Sequence, residues 1–198
     1  MRSFAALALL MLLGACTSIV QADVTRFNSF GAAPAASSFT IKPEPGQVGS
    51  LEFQDYATQV ANALAAQGWF PVAPGGASAA TVNLTWGIGQ ANTVVWQSPS
   101  AVYGGYGWGS YGHRYGAGMS LYDPFPYWET ESVTYWPKWL SVRILEAGSG
   151  RVMFEGRAVA EGTQREIAPI MPYLVRALFT GFPGTSGSTV RVKVPIDR

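Results

Sequence analysis

The sequence is poor in the residues that carry chemistry. It has one cysteine and one histidine in 198 residues. A lone cysteine, Cys16, excludes an internal disulfide. With His113 as the single imidazole, a zinc site would need carboxylates to complete it, an unusual donor set. A Ser-His-Asp triad would have to recruit His113 from a glycine-rich stretch, against the rigid placement that catalysis needs. No G-x-S-x-G elbow and no Gly-Lys-Ser/Thr phosphate loop occurs. Charge is also scarce: 13 basic and 12 acidic residues, with no cluster of one sign. A balanced chain lacks the electrostatic footprint of a nucleic-acid binder. No apolar run approaches the roughly 20 residues that a bilayer span requires.

What is present begins at the N-terminus. Arg2 precedes an apolar stretch from Phe4 to Leu13, the charged and hydrophobic regions of a secretory signal. Leu13-Gly14-Ala15-Cys16 follows and resembles the bacterial lipobox, in which small residues separate a leucine from an invariant cysteine. The resemblance implies cleavage between Ala15 and Cys16 and lipid attachment on the Cys16 thiol. A plain signal peptide fits less well, because Leu13 occupies a position where an ordinary cut wants a small residue. Thr17 follows the cysteine; an aspartate there resembles an inner-membrane retention signal, so the outer membrane, facing the periplasm, is the expected address. The expected organisation is a signal peptide over 1–15, a lipidated tether over 16–22 and a single domain over 23–198. Arg2 leaves with the signal, so the mature chain carries 12 basic and 12 acidic side chains.

Val24 to Phe30 and Ser38 to Pro43 read as strands, the second alternating apolar and polar residues. Ser50 is an expected N-cap, followed by the helical stripe Phe53, Tyr56, Ala57, Val60 and Leu64, with Gly68 as the C-terminal stop. Trp69 to Val72 is a short strand. Val82, Leu84, Trp86 and Ile88 mark one face of a clear strand, expected to continue irregularly to Trp96. Ser132 to Glu146 is a long strand, with Pro137 marking a bulge or an edge. Arg151 to Gly162 returns as its partner, with Arg151, Glu155, Arg157 and Glu161 on a wet face bearing cross-strand ion pairs. Thr163 to Glu166 has the form of a capping box. Pro169 and Pro172 allow the helix to start as late as Ile170, and it runs to Thr180. A last strand turns Val190, Val192 and Val194 inward. This order predicts an α+β domain: a mostly antiparallel sheet with two helices on one face.

Between the strands lies a tract rich in glycine, tyrosine and tryptophan, residues 98–131, read as a long inserted loop. Nine aromatics fall between Tyr103 and Trp128. Glycine at this density disfavours regular structure, and long loops in compact domains tend to be functional or disordered. Gly107-x-Gly109-x-x-Gly112 matches a dinucleotide fingerprint only in spacing, since no helix follows. The rings can pack loosely on the sheet, or form a contact surface for glycan, membrane or protein. Trp96, Tyr106, Trp108, Tyr111 and Tyr115 are the candidate contact residues. Glu129 and Glu131 share one side of a strand, and paired carboxylates can serve glycoside hydrolysis.

The lipobox, the opening strand pair, the helix ending Ala63-Leu64-Ala65-Ala66-Gln67-Gly68-Trp69 and the strand from Ala80 together resemble bacterial lipoproteins carrying domain of unknown function 4136. Ala80-Thr81 stands where an aspartate is usual in that family. The resemblance covers nearly all the mature chain and implies an address and a fold but no activity. The expectation is a non-catalytic binding or assembly module of the cell envelope. It would meet the membrane through its acyl chains and an envelope protein or glycan through the tract, with no nucleic acid and no cofactor. The alternatives are a glycan hydrolase using Glu129 and Glu131, or a structural stress lipoprotein without a specific ligand.

Overall fold

A computed structural model describes residues 18–30, 37–99 and 128–196. Its elements are β1 (Ile19–Asn28), β2 (Ser38–Ile41), a short 3-10 turn (Pro45–Gln47), α1 (Leu51–Ala66), β3 (Phe70–Pro71), β4 (Ala80–Ile88), β5 (Asn92–Pro99), β6 (Trp128–Glu146), β7 (Val152–Gly162), α2 (Met171–Phe179) and β8 (Ser188–Pro195). The strand order is β3-β2-β4-β6-β7-β1-β8, with β5 paired to β6 off this path. The pairs β2–β3 and β2–β4 are parallel and the others antiparallel. The fold is therefore α+β, with two helices and a mostly antiparallel sheet.

Local chemistry sets the helix limits. The Ser50 hydroxyl accepts a hydrogen bond from the Phe53 amide at 3.2 Å, satisfying one free donor of the first turn. Gly68, just past the end of α1, has φ +86°, a conformation that a side chain would strain. Phe53, Tyr56, Val60 and Leu64 are buried along one stripe. The second helix begins at Met171 with Ile170 as its N-cap, at the late limit the two prolines allow and beyond the box of Thr163 to Glu166. Pro169 disfavours helical backbone at the residue before it, while Pro172 sits in the first turn, where no amide is needed.

The sheet departs from the sequence reading in four places. β1 starts at Ile19, so residues 19–22, assigned to the tether, belong to a strand that pairs Ile19 with Pro195 and Ala22 with Val192. β4 does not run on to Trp96; residues 89–91 interrupt it and β5 is a separate strand. β6 begins at Trp128, so both ends of the expected insertion, 98–99 and 128–131, are strand. Val190 is 48% exposed, because β8 is the outermost strand and is covered less completely there; Val194 alone of the three valines is buried.

Pro137 marks a local edge and not a bulge. The register shift in β6 falls between Ile144 and Leu145. Pairing with β4 ends at Lys138 and pairing with β5 starts at Tyr135. The proline thus sits where one partner strand has ended and the next has not begun, and its carbonyl accepts the Gly89 amide at 2.7 Å. A missing donor is tolerated at such a junction.

One hydrophobic cluster joins the sheet to both helices, with Val24, Val82, Leu84, Ile144 and Phe154 meeting Leu64, Leu174 and Leu178. The opposite side chains of β6 and β7 are wet. Arg143 and Glu155 are register partners 4.0 Å apart, and Arg157 lies 4.4 Å over the Trp139 ring. Such exposed pairs contribute little to stability.

Candidate functional site

Two features stand out from this frame. The first is a ribbon made by β5 and the first half of β6. Asn92 pairs with Tyr135, and the ladder runs out to Pro99 opposite Trp128. Residues 100–127 join its two strands in the sequence and lie outside the described residues. The hydroxyls of Thr93 and Thr134 bond across it at 2.9 Å, and the Trp96 indole N–H donates to Glu131 Oε2 at 3.0 Å. Successive strand residues point to opposite faces, yet Val94, Val95 and Trp96 are 43%, 59% and 40% exposed. Both faces therefore carry bare apolar side chains. A two-stranded ribbon is marginal alone, and an exposed apolar edge invites pairing or covering.

Of the sequence-derived contact residues, Trp96 lies on this ribbon. Tyr106, Trp108, Tyr111 and Tyr115, with His113, lie outside the described residues, as do Ala15 and Cys16 of the lipobox. The carboxylate pair is placed on the ribbon, Glu129 opposite Ser98 and Glu131 opposite Trp96. The described member, Glu131, is exposed and takes the Trp96 indole proton.

The second feature is a cleft of about 450 Å³ lined by β1, β7, Lys138 of β6 and Ile170. It exists because two strands part. The β1–β7 ladder runs from Asn28–Phe154 to Asp23–Val159 and stops there. Beyond that point Ile19 to Ala22 pair with β8 alone, and Ala160 to Gly162 pair with β6. Lys138 sits among these parted strands, 1% exposed. Its ammonium donates to the carbonyls of Trp136 at 3.2 Å and Gly162 at 3.4 Å. Burial lowers its pKa from the ordinary lysine value, with the charge of Glu166 acting the other way. On the rim, Arg191 grips Asp23 through two hydrogen bonds of 2.7 and 2.8 Å. That grip lowers the Asp23 pKa below the ordinary carboxylate value.

Sequence reasoning overlooked Lys138, although a signal exists. Leu140, Val142 and Ile144 face the core, and a period of two places Lys138 on the same face. The same parity from Val24 places Arg26 inward. Arg26 is buried and donates to the carbonyls of Ala177, Leu178 and Thr180 at the end of α2. Its role is a cap, since those carbonyls have no partner within the helix. Among the described residues, no group of three or more His, Cys, Asp or Glu is placed to hold a metal, and no helix is long and apolar enough to cross a membrane.

Comparison with known proteins adds a family. A family model described as "Domain of unknown function (DUF4136)" matches residues 20–184. No curated protein matches the chain. Among solved structures, the chain is similar to a PDZ domain protein from Parabacteroides distasonis at 14% identity and a TM-score of 0.46, covering 97% of this chain and 43% of that one. The chain thus spans less than half the length of that protein. It is also similar to the PelC dodecamer from Paraburkholderia phytofirmans at 12% identity and a TM-score of 0.40, covering 78% of this chain and 94% of that one.

Proposed function

Because this chain belongs to the DUF4136 family, whose description names no activity, we propose a role from its own residues: it is a lipid-anchored envelope protein that acts as a non-catalytic binding or assembly module. The observation that carries this reading is the β5–β6 ribbon, with Val94, Val95 and Trp96 exposed on its two faces. Aromatic and aliphatic side chains held clear of a core are what a contact surface offers a partner. The tract between β5 and β6 in the sequence, with Tyr106, Trp108, Tyr111 and Tyr115, supplies residue types of the same contact chemistry. Both helices lie on one face of the sheet in this reading, supported by their shared cluster of buried side chains. The ribbon is then free of the core that the helices close. The address rests on the signal and on Leu13-Gly14-Ala15-Cys16. Cys16 carries the acyl chains, and Thr17 favours the outer membrane facing the periplasm. Anchoring raises the effective concentration of weak contacts near the membrane.

Hydroxyl-radical footprinting tests the contact reading. Trp96 oxidises several-fold more slowly in intact envelopes than in the purified chain, while a half-buried tyrosine away from the ribbon, Tyr173, reacts alike in both. Equal Trp96 rates in the two preparations would contradict the reading. The glycan-hydrolase alternative is separated by the double change Glu129→Gln and Glu131→Gln, which leaves a binding module's cellular phenotype intact.

A further inference from the structure

The ribbon leaves the seam between β1 and β7 without a purpose, and the seam has three properties of a built site. First, its walls are facing strand edges to which the sheet gives no partner across the gap, from Ile19 to Ala22 on one side and Ala160 to Gly162 on the other. Backbone donors and acceptors in such a position want a chain to pair with. Second, Lys138 brings a charge into it while 1% exposed. An ammonium has three donors, and two are directed at the Trp136 and Gly162 carbonyls. Among the described residues no carboxylate lies within ion-pair distance of Lys138. A buried charge is costly until it is paired. Third, Val20 and Ile170 give the cleft apolar wall.

We propose that this seam binds the carboxy-terminal end of an extended peptide, its terminal carboxylate held by Lys138 and its backbone by the parted edges of β1 and β7. The surrounding charges select this ligand. Asp23 is occupied by Arg191, while Glu161 on the rim and Glu166 near Lys138 add negative charge. That field opposes a doubly charged phosphate and tolerates one carboxylate seated deep beside the ammonium. A free carboxylate without a chain would leave the strand edges bare. A volume of about 450 Å³ holds the last few residues of such a peptide.

The test uses the full lipidated chain in detergent, observed by its backbone amide NMR spectrum. The probe is a pool of N-acetyl tripeptides ending in Ala, Val, Leu or Phe, supplied as free acids or as carboxy-terminal amides. The acids shift the Val20, Ala160 and Gly162 amides saturably, and the amides bind about tenfold more weakly or worse, as loss of a buried charge pair requires. Lys138→Met shows the same loss with a dispersed spectrum. Should that variant fail to fold, Val20→Trp decides, since it fills the seam with Lys138 in place and abolishes the shifts. No saturable shift from the acids up to about 10 mM, far weaker than specific recognition, would overturn the proposal. Equal binding of acids and amides, full affinity in either variant, or a response to inorganic phosphate as strong as to the acids would overturn it as well.

Discussion

Arg26 is a charged residue spent on a helix end. Its guanidinium reaches three carbonyls at the end of α2 and is drawn out of water to do so, which lowers its pKa from the ordinary arginine value. Arg26→Leu leaves those acceptors in an apolar setting and costs about 1–3 kcal/mol, the usual penalty for orphaned buried groups; urea unfolding measures it. Opposite Arg26 in the ladder stands Gly156. A methyl group there would meet the Phe154 ring at 2.7 Å and Leu178 at 2.9 Å. Gly156→Ala therefore costs about 1–3 kcal/mol by overpacking, read as a lower midpoint in the same experiment. Asp23 gives a pH signature. Its pKa is lowered on folding by Arg191, so its contribution is present above the unfolded carboxylate pKa and fades as pH falls through the folded one. The gap in midpoint between wild type and Asp23→Asn is open at neutral pH and closes in acid. Neither Arg26 nor Lys138 stands out by residue type, since lysine and arginine are ordinarily exposed; only the period-two parity of their strands reveals them.

At the scale of elements, the sequence was most legible where one physical rule acted alone. Ser50 and Gly68 bracket α1 because capping and a left-handed stop are local. Val82, Leu84 and Trp86 alternate because β4 has one face against the core. The ribbon was not legible. Its two strands are far apart in sequence, separated by glycine and aromatic residues with no periodicity, and neither of its faces is buried, so no alternation marks it. Pro137 was visible, but its meaning depends on where β4 ends and β5 begins. The cleft was hidden for a related reason: the parting of β1 from β7 is a fact of strand pairing. The ribbon should also be the less stable part of β6. Hydrogen exchange is expected to be faster at amides 130–134 than at 140–144, where β4 and β7 flank the strand on both sides. Equal protection along β6 would mean that the ribbon has partners beyond β5.

For the whole molecule, the account joins an anchor to a contact surface. The ladder of β1 begins at Ile19, three residues after Cys16 in the sequence, so the proposed lipid anchor stands close to the folded domain along the chain. Each acyl methylene contributes about 0.8 kcal/mol of membrane affinity, and two or more chains hold firmly. Cys16→Ser is expected to abolish palmitate labelling and move the chain from the membrane fraction to the soluble one; unchanged fractionation would show a different attachment. The central claim is that the ribbon and its tract touch a partner. The measurement that reaches it most directly is in-cell photo-crosslinking with Cys16 intact. The crosslinker replaces Val95, Tyr106 or Tyr111, with exposed Ala66 as the control position. The account predicts a discrete adduct from the three ribbon and tract positions and none from the control. Crosslinking at those three positions no greater than at Ala66 would contradict it.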